Sequence, residues 1–372
     1  MKSFTCYSKI IVTLLLTFLA LSTFAQDSSK GFSIEGTIHG VKDRTIVKLF
    51  DLSQQSYLDS TYTHNGQFRL KGHVMIPTTC WLQCQGEYAI IQIENVRMKF
   101  DSPLKGMFSG YDAIGGKEQE LLNKLNALQR PYDRIYFSAF DSLNKKLFSN
   151  DEDEKRLIKI FTEARDYSMK IYVDFGKRHI NSYLGLDIIY RNRKTIPRDS
   201  VVNLYDTLTE IYKSTTEGKA LEAFLYETLA EKGHLMVDFE AKTIAGDLFK
   251  LSSLKGKYIY LDFGSEGCIP CRMENQEISK NYARLSKEMT FVYFSLDKNM
   301  DLWKKVTKED KIVWNNISDM EGDYGRIKTI YNVQAMPTSF LIDKNGVIIE
   351  RIDGYDTEAL KNVETVIQNI KE

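Results

Sequence analysis

The sequence lacks an excess of either charge, since its 372 residues carry 50 Lys and Arg against 50 Asp and Glu. A chain without net charge has no field to hold a nucleic-acid backbone or an anionic membrane surface, so nucleic acid is not an expected partner. The hydrophobic share of 43% is ordinary for a soluble globular protein, and the length exceeds that of one typical domain. Two or three domains are therefore expected.

Apolar runs of membrane-spanning length are also lacking. The run Ile10–Leu21 follows Lys2 and Lys9 but is shorter than the roughly 20 residues that a bilayer-crossing helix needs. This pattern predicts a secretory signal peptide over residues 1–25 with cleavage after Ala25, the alternative being an uncleaved anchor. The mature protein is expected to be exported to the periplasm or cell envelope, where disulfides are managed enzymatically.

Cysteine and histidine are scarce, with five of each in the whole chain. No histidine follows His234, so a Cys-His nucleophile pair is excluded from the last third of the sequence. The remaining histidines are scattered and suggest no metal site: His39, His64, His73 and His179.

Two regions precede that last third. Residues 30–103 show short alternating runs with turn signals between them, such as Asn65-Gly66, which predict an antiparallel β domain built as a sandwich or barrel. Residues 114–232 show helical periodicity instead. In this helical region we expect Asn150 to cap a helix, Pro131 and Pro197 to separate helices, and a second helix to run from about Ser200 past Ile211.

Residues 234–372 alternate between strand and helix, which indicates an α/β domain. Two strands, two helices, a hairpin and a closing helix are predicted, in chain order Tyr258–Phe263, Cys271–Lys287, Met289–Ser295, Met300–Glu309, Thr338–Ile342 with Val347–Arg351, and Thr357–Ile370.

The pair Cys268 and Cys271 lies where the first of these strands meets the first helix. Two cysteines at this spacing could also form half of a zinc site, but zinc needs further ligands. The other close pair, Cys80 and Cys84, would stand about 13 Å apart along a strand, and buried packing in a β core is their expected role.

At a helix N-terminus, unpaired N–H groups and the helix dipole favour the thiolate over the thiol. Cys268 is therefore the candidate nucleophile, and Cys271, one turn into the helix and expected to be the more buried, would resolve a mixed disulfide.

Two carboxylates are candidates for handling the proton. Asp262 alternates with apolar residues on the strand before the cysteines, and a buried carboxylate there would have a raised pKa and would exchange a proton with Cys271. Glu274, one turn beyond Cys271, would assist. The alternative for each is an ordinary side chain that faces solvent.

The triplet Met336-Pro337-Thr338 completes the pattern that begins with Cys268 and Cys271. With both motifs, residues 234–372 resemble the thioredoxin superfamily, and within it the exported TlpA/ResA-type thiol-disulfide oxidoreductases. The resemblance implies a thioredoxin-like fold, a cis Pro337 beside the disulfide, and a Met336 backbone that pairs with a bound substrate strand. Asp262 and Glu274 match acids of the family. Residues 30–103 resemble, more weakly, a domain of unknown function found ahead of such modules.

The resemblance implies no cofactor beyond the redox-active disulfide, client proteins with thiols or disulfides as substrates, and an upstream membrane or periplasmic electron donor. The family usually has Trp before the first cysteine, whereas Gly267 stands here and leaves client preference open. We expect an exported reductant. The alternatives are a peroxiredoxin-like thiol peroxidase, and a client-docking protein in which the N-terminal regions dominate.

Overall fold

The structure, a computed structural model, describes residues 31–371. The predicted signal peptide lies outside these residues. No helix in this described range is long and apolar enough to cross a membrane.

The first unit is a β-sandwich whose two four-stranded sheets have the orders β4-β1-β7-β8 and β3-β2-β5-β6. Its strands are β1 Phe32–His39, β2 Ile46–Asp51, β3 Ser56–Tyr62, β4 Gln67–Gly72, β5 Thr78–Cys84, β6 Glu87–Ile93, β7 Arg97–Pro103 and β8 Asp112–Ile114, with the short helix α1 Met107–Gly110 before the last strand. Alternate residues of β1 and β5 are buried between the sheets, as a half-buried strand requires.

Most pairings in the sandwich are antiparallel, as predicted, but β1 and β7 run parallel. The predicted hairpin at Asn65-Gly66 is present, and both residues have the positive φ that this tight turn requires. Cys80 and Cys84 are free thiols buried in the core, which confirms their packing role.

The second unit is helical, as predicted, and a long antiparallel hairpin of two helices dominates it. Its helices are α2 Lys117–Asn144, α3 Asp151–Arg178, α4 Tyr183–Asn192, α5 Arg198–Asp206, α6 Glu210–Lys213 and α7 Thr216–Tyr226. The side chain of Asn150 accepts a hydrogen bond from the Asp153 N–H at 2.9 Å, which confirms the predicted cap.

Two predictions for the helical unit were wrong. Pro131 does not separate helices but lies inside α2, which continues because it packs along its length against α3. The helix expected from Ser200 ends at Asp206, and Ile211 lies in the separate short helix α6, where it is largely exposed. Pro197, as expected, stands at a helix start.

The third unit is a seven-stranded sheet of order β10-β9-β13-β12-β11-β14-β15, flanked by helices. Its elements are β9 Glu240–Thr243, β10 Leu248–Lys250, β11 Ile259–Gly264, α8 Ile269–Leu285, β12 Thr290–Ser295, α9 Met300–Glu309, β13 Asn315–Ser318, α10 Arg326–Ile330, β14 Thr338–Ile342, β15 Ile348–Asp353 and α11 Ala359–Lys371. The predicted βαβ order and hairpin are confirmed. The central strands β11 and β14 are buried along their whole length, as helices on both sides of a sheet require.

Side chains join the three units. In the turn between β2 and β3, Gln55 accepts a hydrogen bond from the Lys298 N–H at 2.8 Å and donates to the Leu296 carbonyl at 3.4 Å. From α4, the Tyr190 hydroxyl lies 2.8 Å from the Thr329 hydroxyl, and Arg191 pairs with Asp323 at 3.4 Å. The sandwich therefore touches the loop after β12, and the helical unit packs against α10.

Candidate active site

The two cysteines lie where β11 ends and α8 begins. Cys268 is the N-cap residue of α8, and the Cys271 N–H donates to its sulfur at 3.2 Å. The sulfurs form a disulfide with an S–S distance of 2.03 Å. Pro270 in the first helical turn removes no helical hydrogen bond there. Cys268 is half-buried and Cys271 is fully buried, which confirms the expected difference in exposure.

Both predicted acids are buried, so the alternative of solvent-facing side chains is wrong. Asp262 is 2% exposed and Glu274 is 5% exposed. The Ser339 hydroxyl lies 3.1 Å from a carboxylate oxygen of Asp262 and 2.9 Å from one of Glu274, and the Tyr260 hydroxyl donates to Glu274 at 2.7 Å. One hydroxyl thus bridges the two acids.

Burial controls the protonation of this acid pair. It raises the pKa of Asp262 well above its usual value, and the neighbouring Glu274 charge raises that pKa further. The pKa of Glu274 is also raised by burial, but hydrogen bonds from Tyr260 and Ser339 oppose the rise. Asp262 is therefore the preferred position for a proton that the two acids share.

Strand geometry brings Asp262 near Cys271. Tyr260, Asp262 and Gly264 alternate along β11 and share one face of it. A β-carbon built on Gly264 would lie 3.1 Å from the Cβ of Cys271, so this cysteine packs directly on that face. Glu274 follows Cys271 by one helical turn, and its bonds to Tyr260 and Ser339 fix the helix over the acid.

Charged side chains hold the segment before Cys268. The Glu266 N–H donates to the Asp297 carboxylate at 3.0 Å, and the Glu266 carboxylate accepts from Lys305 at 2.6 Å. Arg272, which follows Cys271, bonds Asp310 at 2.5 Å, and these contacts raise the pKa of its guanidinium. The segment carrying Cys268 is therefore tied to the segment after β12, to α9 and to the residue that follows α9.

The predicted substrate-binding residues lie at the same end of the sheet. The Met336–Pro337 peptide bond is cis. Phe263 pairs with Thr338, so Pro337 lies beside Gly264, where β11 ends. The Pro337 carbonyl already accepts from the Gly354 N–H at 2.8 Å, whereas Met336 is half-buried at the edge of the core.

The residues that the sequence analysis missed are Tyr260, Gly264, Ser339 and Arg272. A signal for two of them exists: Tyr260 and Gly264 stand two residues on either side of Asp262 and must share its face. Ser339 follows Thr338 at the polar start of a strand that continues with Phe340, Leu341 and Ile342. Its role depends on strand register, because it lies directly opposite Asp262. For residues 31–371, no cluster of His, Cys, Asp or Glu suited to a metal ion is found.

A helix-capping Cys-x-x-Cys, a cis-proline and a buried acid on this central sheet define a thioredoxin-like oxidoreductase site. Residues 233–351 match the AhpC/TSA family, and residues 32–122 match a domain of unknown function (DUF4369). Thiol-disulfide oxidoreductase ResA of Bacillus thuringiensis subsp. konkukian is 30% identical over 136 residues, which cover 36% of this chain and 77% of ResA. The chain belongs to this family of thiol-disulfide oxidoreductases.

Two further relatives have similar coverage. Thioredoxin-like protein YneN of Bacillus subtilis is 29% identical over 133 residues, which cover 33% of this chain and 76% of that protein. The crystal structure of the thioredoxin domain of a thiol-disulfide oxidoreductase from Bacteroides vulgatus is 27% identical, covers 37% of this chain and 98% of its own, and has a TM-score of 0.34.

Proposed function

We propose that this protein is an exported reductant of protein disulfides, with Cys268 as nucleophile and Cys271 as resolving thiol. The observation that carries the proposal is the contrast between the two sulfurs. Cys268 is accessible at a helix N-terminus, whereas Cys271 is fully buried above the acid pair of Asp262 and Glu274. An accessible thiolate and a shielded thiol with an acid nearby are what two-step disulfide exchange requires.

In the first step, the Cys268 thiolate attacks a client disulfide. A bond forms between Cys268 and one client sulfur, and the other client sulfur leaves as a thiolate. Cys271 then gives its proton to Asp262 and attacks Cys268, which releases the second client thiolate and leaves the enzyme disulfide. Met336 would offer its backbone to the client strand beside the cis Pro337, and no cofactor beyond the disulfide is required.

Export is supported by the first 25 residues, where Lys2 and Lys9 precede the apolar run and Ala25 precedes the cleavage point. In the periplasm or cell envelope, an upstream donor in the membrane or periplasm must return two electrons to the disulfide after each client. We further propose that the chain divides into functional units at 30–103, 114–232 and 234–372.

The test uses the mature chain and the reduction of insulin disulfides by a small dithiol. We expect Cys268→Ser to abolish catalysis, and Cys271→Ser to form a mixed disulfide that does not resolve. Cys84→Ser, at a buried thiol of the sandwich, is the matched control and should retain activity. Catalysis by Cys268→Ser at the wild-type rate would refute the proposal.

The direction of electron flow has its own measurement. The reduction potentials of related dithiols range from about −270 mV for a reductant to about −120 mV for a strong oxidant. We expect a reduction potential near the lower value. A potential near the upper one would make the protein an oxidant instead. Peroxide turnover that far exceeds the rate of a free thiol would favour the peroxiredoxin-like alternative, although the guanidinium of Arg272 is already engaged by Asp310 and Glu309.

The client-docking alternative is supported by a row of aromatic rings on the outer face of the sheet β3-β2-β5-β6. Centroid distances of 5.1, 6.1, 5.5 and 5.3 Å link successive rings in the order Tyr57, Phe50, Trp81, Tyr88 and Phe108. This aromatic row begins beside the turn that carries Gln55, which contacts the loop after β12. Its occupant would be an extended apolar segment of a disulfide-bearing client.

The aromatic row is tested with two substrates. Replacing Tyr57 and Tyr88 together by Ser should raise KM for insulin several-fold and leave the reduction of a small disulfide unchanged. Tyr62→Ser is the matched control, because Tyr62 is 65% exposed on β3 but makes no ring contact with the row. If wild type, the Tyr57 and Tyr88 double variant and Tyr62→Ser had the same KM for insulin, the aromatic row would have no role in docking.

A further inference from the structure

We propose that the Ser339 hydroxyl is a proton relay between Asp262 and Glu274, and that Tyr260 is the residue that positions its outer end. This inference rests on the proposed function, because it concerns the proton that Cys271 exchanges. Neither Ser339 nor Tyr260 belongs to the Cys-x-x-Cys motif or to the cis-proline triplet. Both are assigned from the contacts that they make.

The relay is built from three elements of the sheet and helix. Ser339 is opposite Asp262 in the β11–β14 register, and its hydroxyl oxygen lies 3.1 Å from Asp262 and 2.9 Å from Glu274. All three side chains are at most 5% exposed. Bulk water therefore does not carry protons between the two carboxyls, and the hydroxyl is the group that touches both.

A hydroxyl has one proton to donate and lone pairs to accept another. With one proton in the acid pair, Asp262 donates to Ser339 while Ser339 donates to the Glu274 carboxylate. That same Glu274 oxygen also accepts from the Tyr260 hydroxyl at 2.7 Å, which holds the negative charge at the Glu274 end. In the reversed arrangement Glu274 carries the proton, and Ser339 donates to Asp262.

Switching between these arrangements moves a proton without moving a heavy atom. When Cys271 must attack, the proton on Asp262 first passes to Ser339 while the Ser339 proton goes to Glu274, and the ionised Asp262 carboxylate then accepts the thiol proton of Cys271. Glu274 releases its own proton at the outer end of the relay. When the enzyme disulfide is reduced, Cys271 leaves with the electron pair of the broken S–S bond and takes a proton back along the same path. Ser339 ends each transfer with one proton, so the relay is restored.

The outer end of the relay approaches the surface. Glu277 follows Glu274 by three residues on α8, is only half-buried, and accepts a hydrogen bond from Tyr355 at 3.0 Å. Its negative charge raises the pKa of Glu274, after the larger effect of burial. The titratable groups that face the acid pair are Tyr260 from β11, Tyr293 from β12, Glu277 from α8 and Tyr355 after β15.

The three phenols do not ionise near neutral pH. Burial raises the pKa of Tyr260 and Tyr293 well above its usual value and also raises that of Tyr355. The pH dependence of the relay therefore belongs to the acid pair itself, with Glu277 as its exchange partner at the surface.

The experiment compares Ser339→Ala with Ser339→Thr, which retains a hydroxyl. Single-turnover resolution of an insulin mixed disulfide is followed from pH 5 to 10. Near neutral pH we expect the Ala variant to resolve the mixed disulfide at least about tenfold more slowly than wild type, a loss that general acid-base catalysis is large enough to explain. At high pH the Ala variant should approach the wild-type rate, because solvent then deprotonates Cys271. The Thr variant should stay within about threefold of wild type at every pH.

Alkylation of reduced Cys268 by iodoacetamide provides the control, because nucleophile reactivity does not pass through the relay and should be equal in all three proteins. Tyr260→Phe should shift the pH profile upward by weakening the stabilisation of the Glu274 anion. The relay is refuted if the Ala variant matches wild type at all pH values, or if Ala and Thr lose rate equally and independently of pH. An inactive wild type would instead refute the proposed function.

Discussion

Gly264 and Cys271 lie in direct contact at the centre of the site: a β-carbon on Gly264 would stand 3.1 Å from the Cβ of Cys271. The same β-carbon would stand 2.9 Å from a ring carbon of Tyr293, which is fully buried. The resolving cysteine can approach the strand this closely only because residue 264 has no side chain. Position 264 thus sets the depth at which Cys271 lies.

We therefore expect Gly264→Ala to destabilise the oxidised protein by about 1 to 3 kcal/mol, the usual cost of overpacking a core. Urea denaturation measures the change. Gly267→Ala is the matched control, because nothing lies within 4 Å of a β-carbon at that position. The control should change stability by less than about 0.5 kcal/mol. Equal effects at the two glycines would contradict the packing argument.

The open space at Gly267 gives a second prediction. A β-carbon at this position meets nothing within 4 Å, and a Trp would place an aromatic contact surface next to the nucleophile Cys268. We expect Gly267→Trp to fold with an unchanged Tm and to lower KM for insulin, with no change for a small disulfide. If KM for both substrates changed equally, the added ring would be acting on the sulfur rather than on client binding.

The buried acid gives a prediction about stability and pH. Because the pKa of Asp262 is raised in the folded protein, the folded state holds this proton over a pH range in which the unfolded state has lost it. Stability therefore falls as pH rises from the unfolded value of about 3.9 through the folded one. Asp262→Asn avoids this loss and should be more stable than wild type at neutral pH, by at least about 1 kcal/mol, with no gain below about pH 4.

Denaturation of wild type and Asp262→Asn across this pH range tests whether the variant gains stability as pH rises. Asp247→Asn, at an exposed position, is the control and should show no such gain. The same Asp262 variant should slow disulfide exchange. A variant that is both less stable and slower at neutral pH would mean that Asp262 is a structural acid.

Spacing and element type placed Cys268 and Cys271 at a strand–helix junction and Asp262 on the strand before them, whereas Pro337 was expected from the family resemblance. Ser339 required the β11–β14 register, since only that pairing brings it opposite Asp262. The same limit applies to Pro131: its local effect predicts a helix break, but the packing of α2 against α3 decides the outcome. The parallel pairing of β1 with β7 links residues about 60 positions apart along the chain, beyond the reach of any turn signal.

The contact of Gln55 with Lys298 predicts that the sandwich restrains the loop beside the active site. Gln55 has a positive φ, which Asn tolerates, so Gln55→Asn shortens the side chain without adding backbone strain. Loss of one hydrogen bond should speed amide hydrogen exchange at Lys298 by about two- to tenfold. Gln54→Asn, at an exposed neighbour, is the control. Unchanged exchange at Lys298 would mean that the units do not depend on this contact.

The ion pair between Asp323 and Lys328 gives the last prediction, at the contact between α4 and α10. Lys328 is 7% exposed and donates to Asp323 at 2.7 Å, while Arg191 lies 3.4 Å from the same carboxylate. These two cations lower the pKa of Asp323 to about 2, against the opposing effect of burial. Its contribution to stability is therefore complete above the unfolded pKa of about 3.9 and is lost as pH falls towards 2.

We expect Asp323→Asn to lower Tm most above about pH 5, with the difference from wild type shrinking between pH 4 and 2. Much of the loss at neutral pH should come from leaving Lys328 buried without its partner, so adding Lys328→Met should restore part of the Tm. If the double variant were as unstable as the sum of both single variants, the two side chains would act independently, and an unpaired Lys328 would not be the cause of the loss.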